Sequence, residues 1–215
     1  MKFKYSIGNN KIGKDTLIFN MGSATDCAAK LKGLCNIDCY ALKAEKQYPA
    51  PLAARRHQEK YWLTTPYEQI VKDLSKAINT RKNHKASTPI KYIRVNESGD
   101  LHSEACLHKL IFLAESMPDV KFYTYTHRSD LIDDNTHLFM PKNLTLNTSD
   151  FKRKGLNSFQ AVKLKNAFRS YKNNTAAIKA ELKTISNSNF NCGGDCSICS
   201  LCKVTHTKDI YVAYH

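Results

Sequence analysis

Near its N-terminus the chain reads Thr16-Leu17-Ile18-Phe19-Asn20-Met21-Gly22-Ser23-Ala24-Thr25-Asp26-Cys27. The first part is a short apolar run, which predicts a strand over Thr16–Asn20. The part that follows is polar, contains Gly22 and ends at Cys27, which predicts a loop at the carboxyl end of that strand. Since α/β folds bind ligands at this end of the sheet, we expect the stretch to begin an α/β domain and to carry a site.

The rest of the chain alternates short apolar runs with longer amphipathic stretches. Further strands are predicted over Ile90–Val95, Val120–Tyr125, Leu144–Asn147, Gln160–Leu164 and Asp209–Tyr214. Helices are predicted over Tyr40–Gln47, Pro51–Leu63, Pro66–Asn79, His102–Ser116 and Ala176–Lys183, with Thr65 as the N-cap of the third. This alternation is typical of a parallel sheet covered by helices. Only about five or six such units fit, so the sequence predicts a partial (βα) barrel rather than a closed one with eight.

Length and composition point to one folded domain. The chain has 215 residues, of which 42% are hydrophobic, and this excludes a disordered chain. No apolar run approaches the roughly 18 consecutive residues of a membrane span. We expect a single domain over 1–215, with a barrel-like core over 1–190 and a cysteine-rich loop with a final strand over 191–215. The first residues lack a secretory signal, so we expect a cytoplasmic protein with reduced cysteines.

The strongest motif is a group of four cysteines near the C-terminus. Three, two and two residues separate Cys192, Cys196, Cys199 and Cys202. Such close spacing is typical of metal binding, and it resembles iron–sulfur ligation more than the paired spacing of structural zinc sites. We expect a [4Fe–4S] cluster here, with zinc as the alternative.

A second group of cysteines follows the first predicted strand. Seven residues separate Cys27 from Cys35, and three separate Cys35 from Cys39. Three thiolates leave one coordination position of a cluster open for a substrate, a cofactor or water. The alternative is that Cys27 and Cys35 are ordinary buried small residues. The remaining cysteine, Cys106, lies in a predicted helix beside leucines and is expected to pack in the core.

These motifs resemble a known family. They resemble the phage-encoded gene product eighty-eight family in the run Phe19–Cys27, the stretch Gly33-Leu34-Cys35, the run Cys39–Glu45 and the C-terminal cysteines. The chain also resembles, distantly, the radical SAM proteins, in which three cysteines after the first strand hold a [4Fe–4S] cluster that binds S-adenosylmethionine. The resemblance implies a radical-SAM-like barrel, an enzyme with an open iron, and a location in the host cytoplasm.

Polar residues at the ends of the predicted strands are candidates for a cofactor or substrate pocket. They are Glu97, Ser98, Gly99, Asp100, His127, Asn147 and Ser149. By the radical SAM resemblance, Glu97 or Asp100 would face the ammonium group of S-adenosylmethionine and Gly99 would allow close approach. The alternative is that Asp100 or Ser103 caps the following helix.

The formal net charge is +14, and the segment 151–183 is rich in Lys and Arg interleaved with aromatic residues. Such a pattern can bind single-stranded nucleic acid, although a solvated helix face with core aromatics also produces it. Three functions therefore stay open. They are an iron–sulfur enzyme acting on an unknown substrate, a non-catalytic nucleic-acid-binding module stabilised by metal, and an electron-transfer protein.

Overall fold

The computed structural model describes residues 1–35, 39–84, 87–165, 171 and 174–213. The strands in this part of the chain are β1 (Ser6–Ile7), β2 (Thr16–Phe19), β3 (Tyr92–Val95), β4 (Lys121–Thr126), β5 (Leu144–Ser149), β6 (Asn157–Val162), β7 (Asn191–Cys192) and β8 (Asp209–Ala213). The helices are α1 (Ala28–Leu31), α2 (Tyr40–Gln47), α3 (Pro49–Thr64), α4 (Tyr67–Asn83), α5 (Glu104–Ser116) and α6 (Thr175–Ser186). Short 3-10 turns cover Thr136–Phe139 and Leu201–Lys203.

All eight strands belong to one sheet, in the order β1-β2-β3-β4-β5-β6-β8-β7. Strand β1 runs antiparallel to β2, and every other neighbouring pair is parallel. The α/β class predicted from the sequence is therefore confirmed as a mixed fold with a mostly parallel sheet. The barrel type stays a prediction. No helix in the described ranges is long and apolar enough to cross a membrane.

The predicted elements differ from the observed ones mainly at their ends. Strand β6 begins at Asn157 rather than Gln160, because the polar residues Asn157 and Ser158 pair with neighbouring strands. Thr65 is not the N-cap of α4, since Pro66 occupies that position and Thr65 ends α3. The short elements β1, β7 and α1 were not predicted, and Tyr214 lies outside the described residues.

One face of the sheet forms the apolar core. Side chains alternate between the two faces of a strand, and alternate positions of β2 to β5 pack in the core cluster. They are Leu17, Phe19, Ile93, Val95, Phe122, Leu144 and Leu146. Helices α3, α4 and α5 cover them with Trp62, Ile70, Leu74 and Leu110. Cys106 belongs to the same cluster and is 5% exposed, so its predicted role in core packing is confirmed.

The opposite face is polar and aromatic, and the C-terminal cysteine segment covers part of it. Arg94 pairs in register with Tyr123, and Tyr125 with Asn147, which places these side chains on one face. The amide of Asn147 donates a hydrogen bond to the carbonyl of Cys202 at 3.0 Å. The described part of the C-terminal segment, 191–213, is therefore joined to the sheet by β7, by β8 and by this hydrogen bond.

Candidate functional site

A cavity of about 330 Å³ opens at the carboxyl ends of the parallel strands. Its walls come from the loops after β2 and β3, from β4 to β6, and from the C-terminal segment. Six cysteines line it: Cys27, Cys35, Cys39, Cys192, Cys196 and Cys202. Cys199 lies instead beside a surface groove with Ile198 and Lys179. Both cysteine groups identified in the sequence therefore face the same cavity.

The loop that leads to Cys27 is held by a single buried carboxylate, Glu45 of α2. Its oxygens accept hydrogen bonds from the backbone N–H groups of Ala24 and Thr25, each at 2.8 Å. They also accept one from Ser98 and form an ion pair with Arg55 at 2.8 Å. Burial alone would raise the pKa of Glu45, but these donors outweigh it and lower the pKa below its usual value. Glu45 therefore stays ionised and joins the cysteine loop, α2, α3 and the turn after β3.

Two of the three N-terminal cysteines occupy the first position before a helix. Cys27 is the N-cap of α1, and Cys39 is the N-cap of α2. Burial raises the pKa of Cys27 to about 11, although hydrogen bonds from backbone N–H groups of α1 oppose the shift. Without a metal the Cys27 thiol is thus neutral near pH 7, and it is a poor nucleophile. Coordination to a metal would remove that proton.

Three of the C-terminal cysteines, Cys192, Cys196 and Cys202, show the same trend. Burial raises the pKa of Cys192 to about 11 and raises that of Cys202 further, despite a hydrogen bond with Tyr125. Burial also raises the pKa of Cys196, against the opposing charges of Arg94 and Lys203. Buried neutral thiols grouped around a cavity suit soft metal ligation better than nucleophilic catalysis.

The cysteines do not form a compact site for one ion. Within the described ranges, no three His, Cys, Asp or Glu side chains converge closely enough to hold a single metal ion. A structural zinc site requires four ligands within about 2.0–2.3 Å of one atom. An iron–sulfur cluster is larger, because its ligands bind separate iron atoms.

Six of the seven predicted pocket residues line the cavity. They are Glu97, Ser98, Gly99, Asp100, His127 and Ser149. Asn147 does not, because its amide is fully buried below the C-terminal segment, where it donates to the carbonyls of Thr124 and Cys202.

Asp100 has a structural role at the cavity wall. Its carboxylate accepts hydrogen bonds from the N–H groups of Leu101 and His127 and from the hydroxyl of Thr126, at 2.6–2.8 Å. It does not cap α5, whose N-cap is Ser103 without a side-chain hydrogen bond. Two of these donors bind Oδ1 and one binds Oδ2, so the carboxylate that we expected to face an ammonium group is already held by the protein. Burial raises the pKa of Asp100, although the same donors oppose the shift.

Gly99 allows another group to approach its backbone closely, and in this structure that group is the backbone of Gly22. Its φ is +76°, and a Cβ built there would lie 2.7–2.8 Å from the backbone of Gly22. A side chain at this position would push the turn after β3 away from the loop that leads to Cys27. Gly99 therefore positions two walls of the cavity against each other.

Several residues of the cavity were not identified from the sequence. They are Tyr40, Arg94, Tyr125 and Phe159. Arg94, Tyr125 and Phe159 lie inside strands. There the sequence pattern predicted the strand but not which of its residues face the cavity. One signal was present, because an arginine in the apolar run of β3 needs a reason to be there.

The described aromatic rings of the basic segment 151–183 pack inward. Phe151 packs on the core, and the ring centre of Phe159 lies 5.1 Å from that of Tyr125. The hydroxyl of Tyr171 donates to Glu181, and its ring packs on a small cluster with Ile178. Phe168 lies outside the described residues. Stacking of bases on this segment stays a prediction.

The comparisons with known proteins identify the class of this chain. Residues 2–193 match the family described as Gene product 88, so the chain belongs to that family. No curated protein and no solved structure matches it. The matched range includes Cys27, Cys35, Cys39 and Cys192 and ends before Cys196, so three of the C-terminal cysteines lie beyond it.

Proposed function

We propose that this protein holds iron–sulfur clusters at the cavity. One cluster binds to Cys27, Cys35 and Cys39, and a second binds to the C-terminal cysteines Cys192, Cys196, Cys199 and Cys202. The observation that carries the proposal is that six of these seven residues line one cavity at the carboxyl ends of parallel strands. Scattered core cysteines would not share a cavity.

The close spacing of the four C-terminal cysteines supports a cluster over a single zinc ion. Thiolates are soft ligands that suit both, and the described cysteines do not converge on the position of one ion. Cys199, half-buried and outside the cavity, would reach a wide cluster by a small movement of its loop. Gly193 and Gly194 precede Cys196 in this segment, and Gly194 has a φ of +85°, which favours glycine.

The N-terminal site supports a radical-SAM-like enzyme as the finer form of the proposal. Three protein thiolates leave one iron open, and that iron would take S-adenosylmethionine or a substrate and supply one-electron chemistry. The residues of this chain would position the ligand. Glu97 and His127 face the cavity, and Tyr40 fixes the turn after β3 by donating a hydrogen bond to the carbonyl of Glu97 at 2.6 Å.

Metal analysis after anaerobic reconstitution tests the proposal. We expect a brown protein with broad absorbance near about 400 nm and about eight iron atoms per chain for two clusters, or about four for one. A preparation that binds zinc and no iron would overturn the proposal and leave a structural zinc site.

A second assay separates an enzyme from an electron carrier. Reduced protein incubated with S-adenosylmethionine is analysed for deoxyadenosine. Its formation supports the radical-SAM-like reading, whereas an iron-loaded protein that is inert and shows no spectral response to S-adenosylmethionine would reduce the function to cluster binding and electron transfer.

A further inference from the structure

Two buried hydrogen-bond donors at the cavity have no acceptor. The Nε atom of Arg94 and the Nδ2 atom of Asn96 are both buried, and neither has a hydrogen-bond partner in the described part of the chain. Both residues line the cavity. Buried polar groups are almost always paired, so an unpaired donor at a cavity wall indicates that a ligand supplies the acceptor.

The amide of Asn96 has a fixed orientation. Arg94 is in β3, Asn96 follows at the start of the turn after β3, and both line the cavity. The Oδ1 atom of Asn96 accepts a hydrogen bond from the N–H of Met21 at 2.9 Å. A flipped amide would lose this bond, because it would set one donor against another. The NH₂ group of Asn96 is therefore held as a donor.

Arg94 also carries a positive charge without a direct ion pair. Among the described residues, none of the ion pairs within 4.0 Å involves Arg94, although the more distant charge of Glu97 acts on it. Its guanidinium carbon lies 5.3 Å from the ring centre of Tyr125. A buried charge without a direct partner is costly, and the planar fork of arginine matches carboxylate and phosphate groups.

We propose that Arg94 and Asn96 bind the anionic oxygen group, a carboxylate or a phosphate, of a small ligand that occupies the cavity. Tyr125 and Phe159 line the cavity beside Arg94 and offer ring surface to the rest of the ligand. The inference rests on the proposed function in treating this cavity as the functional site, and it adds the chemical class of the ligand that binds there.

Calorimetric titration of the anaerobically reconstituted protein tests this assignment. The probes are benzoate and inorganic phosphate at constant ionic strength, so that the carboxylate and phosphate forms are distinguished. We expect wild type to bind one of them and Arg94→Gln to weaken that binding at least tenfold. Asn96→Asp keeps an oxygen that accepts the hydrogen bond from Met21, and Asp, like Asn, tolerates a φ of +63°. It places a negative charge against the anionic probe, so it should also weaken binding.

A matched control is Arg81→Gln. The Nε of Arg81 is also buried without a partner, but Arg81 lies in α4 and does not line the cavity. We expect this variant to bind the probe as wild type does. Arg94→Lys keeps the charge and loses the planar fork, so its affinity for the probe should lie between those of wild type and Arg94→Gln. If Arg94→Gln does not fold, the affinities of Arg94→Lys and Asn96→Asp decide the test.

The same preparations are analysed for iron, which separates this inference from the proposed function. Equal probe binding by wild type and Arg94→Gln, or no binding of either probe by wild type, overturns the inference. A loss of iron in Arg94→Gln with unchanged probe binding also overturns it and makes Arg94 a counter-charge for the thiolates near Cys196. Binding that depends on Arg94 in an iron-free protein supports the inference while the proposed function fails.

Discussion

The two cysteine regions face one cavity but are held by different chemistry. The N-terminal loop depends on charge, because the ionised Glu45 accepts its backbone N–H groups and pairs with Arg55. The C-terminal segment depends mainly on neutral groups, the buried amides of Asn147 and Asn157, with one charged donor, Lys203, whose Nζ binds the carbonyl of Cys196 at 2.9 Å. The backbone N–H of Cys196 also donates to the carbonyl of Lys11 at 2.6 Å. The two sites should therefore respond differently to loss of charge, to loss of an amide and to pH.

The difference also concerns which part of the chain supplies the anchor. Glu45 lies about twenty residues from the loop that it holds, within one compact unit of loop and helices. Asn157 lies about fifty residues from the backbone groups of Val204 and His206 that it binds. The main anchor of the first site is therefore closer in sequence to the loop it holds, whereas the anchor of the second comes from a distant strand of the sheet.

Substitution of single cysteines should produce the largest difference between the two sites. Cys27→Ala should abolish any spectral change caused by S-adenosylmethionine while the second cluster remains, because the open iron belongs to the N-terminal site. Cys199→Ala should damage folding more, since metal binding that orders the C-terminal segment contributes to the folding free energy. Electron paramagnetic resonance of the reduced variants, with and without S-adenosylmethionine, measures the first effect, and thermal unfolding measures the second.

Cys106→Ala is the control, because Cys106 packs in the core away from the cavity. It should keep both signals. If the response to S-adenosylmethionine survives in Cys27→Ala and disappears in Cys199→Ala, the roles of the two sites are reversed.

Removal of the charge on Glu45 should cost the most stability. Its side chain is 1% exposed and that of Arg55 is 11% exposed. Glu45→Gln leaves the positive charge of Arg55 buried without a partner, so we expect a loss of about 3 kcal/mol in the free energy of unfolding. Urea unfolding measures it, and iron at the N-terminal site should fall at the same time.

The exposed pair between Arg56 and Asp26 provides the matched control for Glu45. It joins the same loop to the same helix α3, but both side chains are well exposed. Arg56→Gln should therefore change the unfolding midpoint little. An equal loss in the two variants would show that charge as such, rather than the buried network around Glu45, holds the loop.

Loss of the Asn157 amide should weaken the C-terminal segment next. This residue donates to Asn147 and to the carbonyl of Val204, and its oxygen accepts from the N–H groups of His206 and Thr207. Asn157→Ala leaves several buried groups unpaired, and we expect a cost of about 2 kcal/mol. Iron from the four-cysteine site should be lost more readily to a chelator.

Asn143→Ala separates this local effect from general destabilisation. Asn143 donates to three backbone carbonyls, those of Ala114, Met117 and Val120, and none belongs to the cysteine segments. It should lower stability without faster loss of iron. Parallel iron loss in both variants would mean that the C-terminal site simply follows global stability.

The sequence predicts the order of the strands and helices well, because alternating strand and helix patterns leave few topologies. It also predicts both groups of cysteines, since their spacing is local. It does not predict which strand residues face the cavity. Arg94 and Tyr125 are recognised only once strand pairing fixes the faces, and that register depends on residues distant in sequence.

Asp100 and Gly99 make contacts within the protein that the sequence did not predict, and their roles toward a ligand stay predictions. Asp100 and Gly99 have the residue types of a ligand-binding turn, but the donors and the backbone that meet them come from β4 and from the loop before Cys27. Glu45 shows the converse. It is one of several charged residues in an amphipathic helix, and its burial follows only from packing against Arg55 and the loop.

The smallest expected effect is the pH dependence of the N-terminal anchor. The pKa of Glu45 is lower in the folded chain than its ordinary value of 4.5, because the hydrogen bonds and Arg55 outweigh burial. The unfolded chain therefore binds more protons than the folded one in this range. The stabilisation from Glu45 is complete above about pH 5 and is lost as the pH falls through the folded pKa. Glu45→Gln should remove this contribution.

The measurement is the free energy of unfolding between about pH 6 and pH 3 for wild type, Glu45→Gln and Asn157→Ala. Other carboxylates with lowered pKa values, such as Asp26 and Asp130, also make the stability fall with pH, and their contributions cancel when the variants are compared. The gap between wild type and Glu45→Gln should narrow as the pH falls, because wild type loses what the variant already lacks. The gap between wild type and Asn157→Ala should stay constant, since a neutral amide does not titrate. If the difference in the free energy of unfolding between wild type and Glu45→Gln does not change with pH, then the packing of this side chain holds the loop and its charge does not.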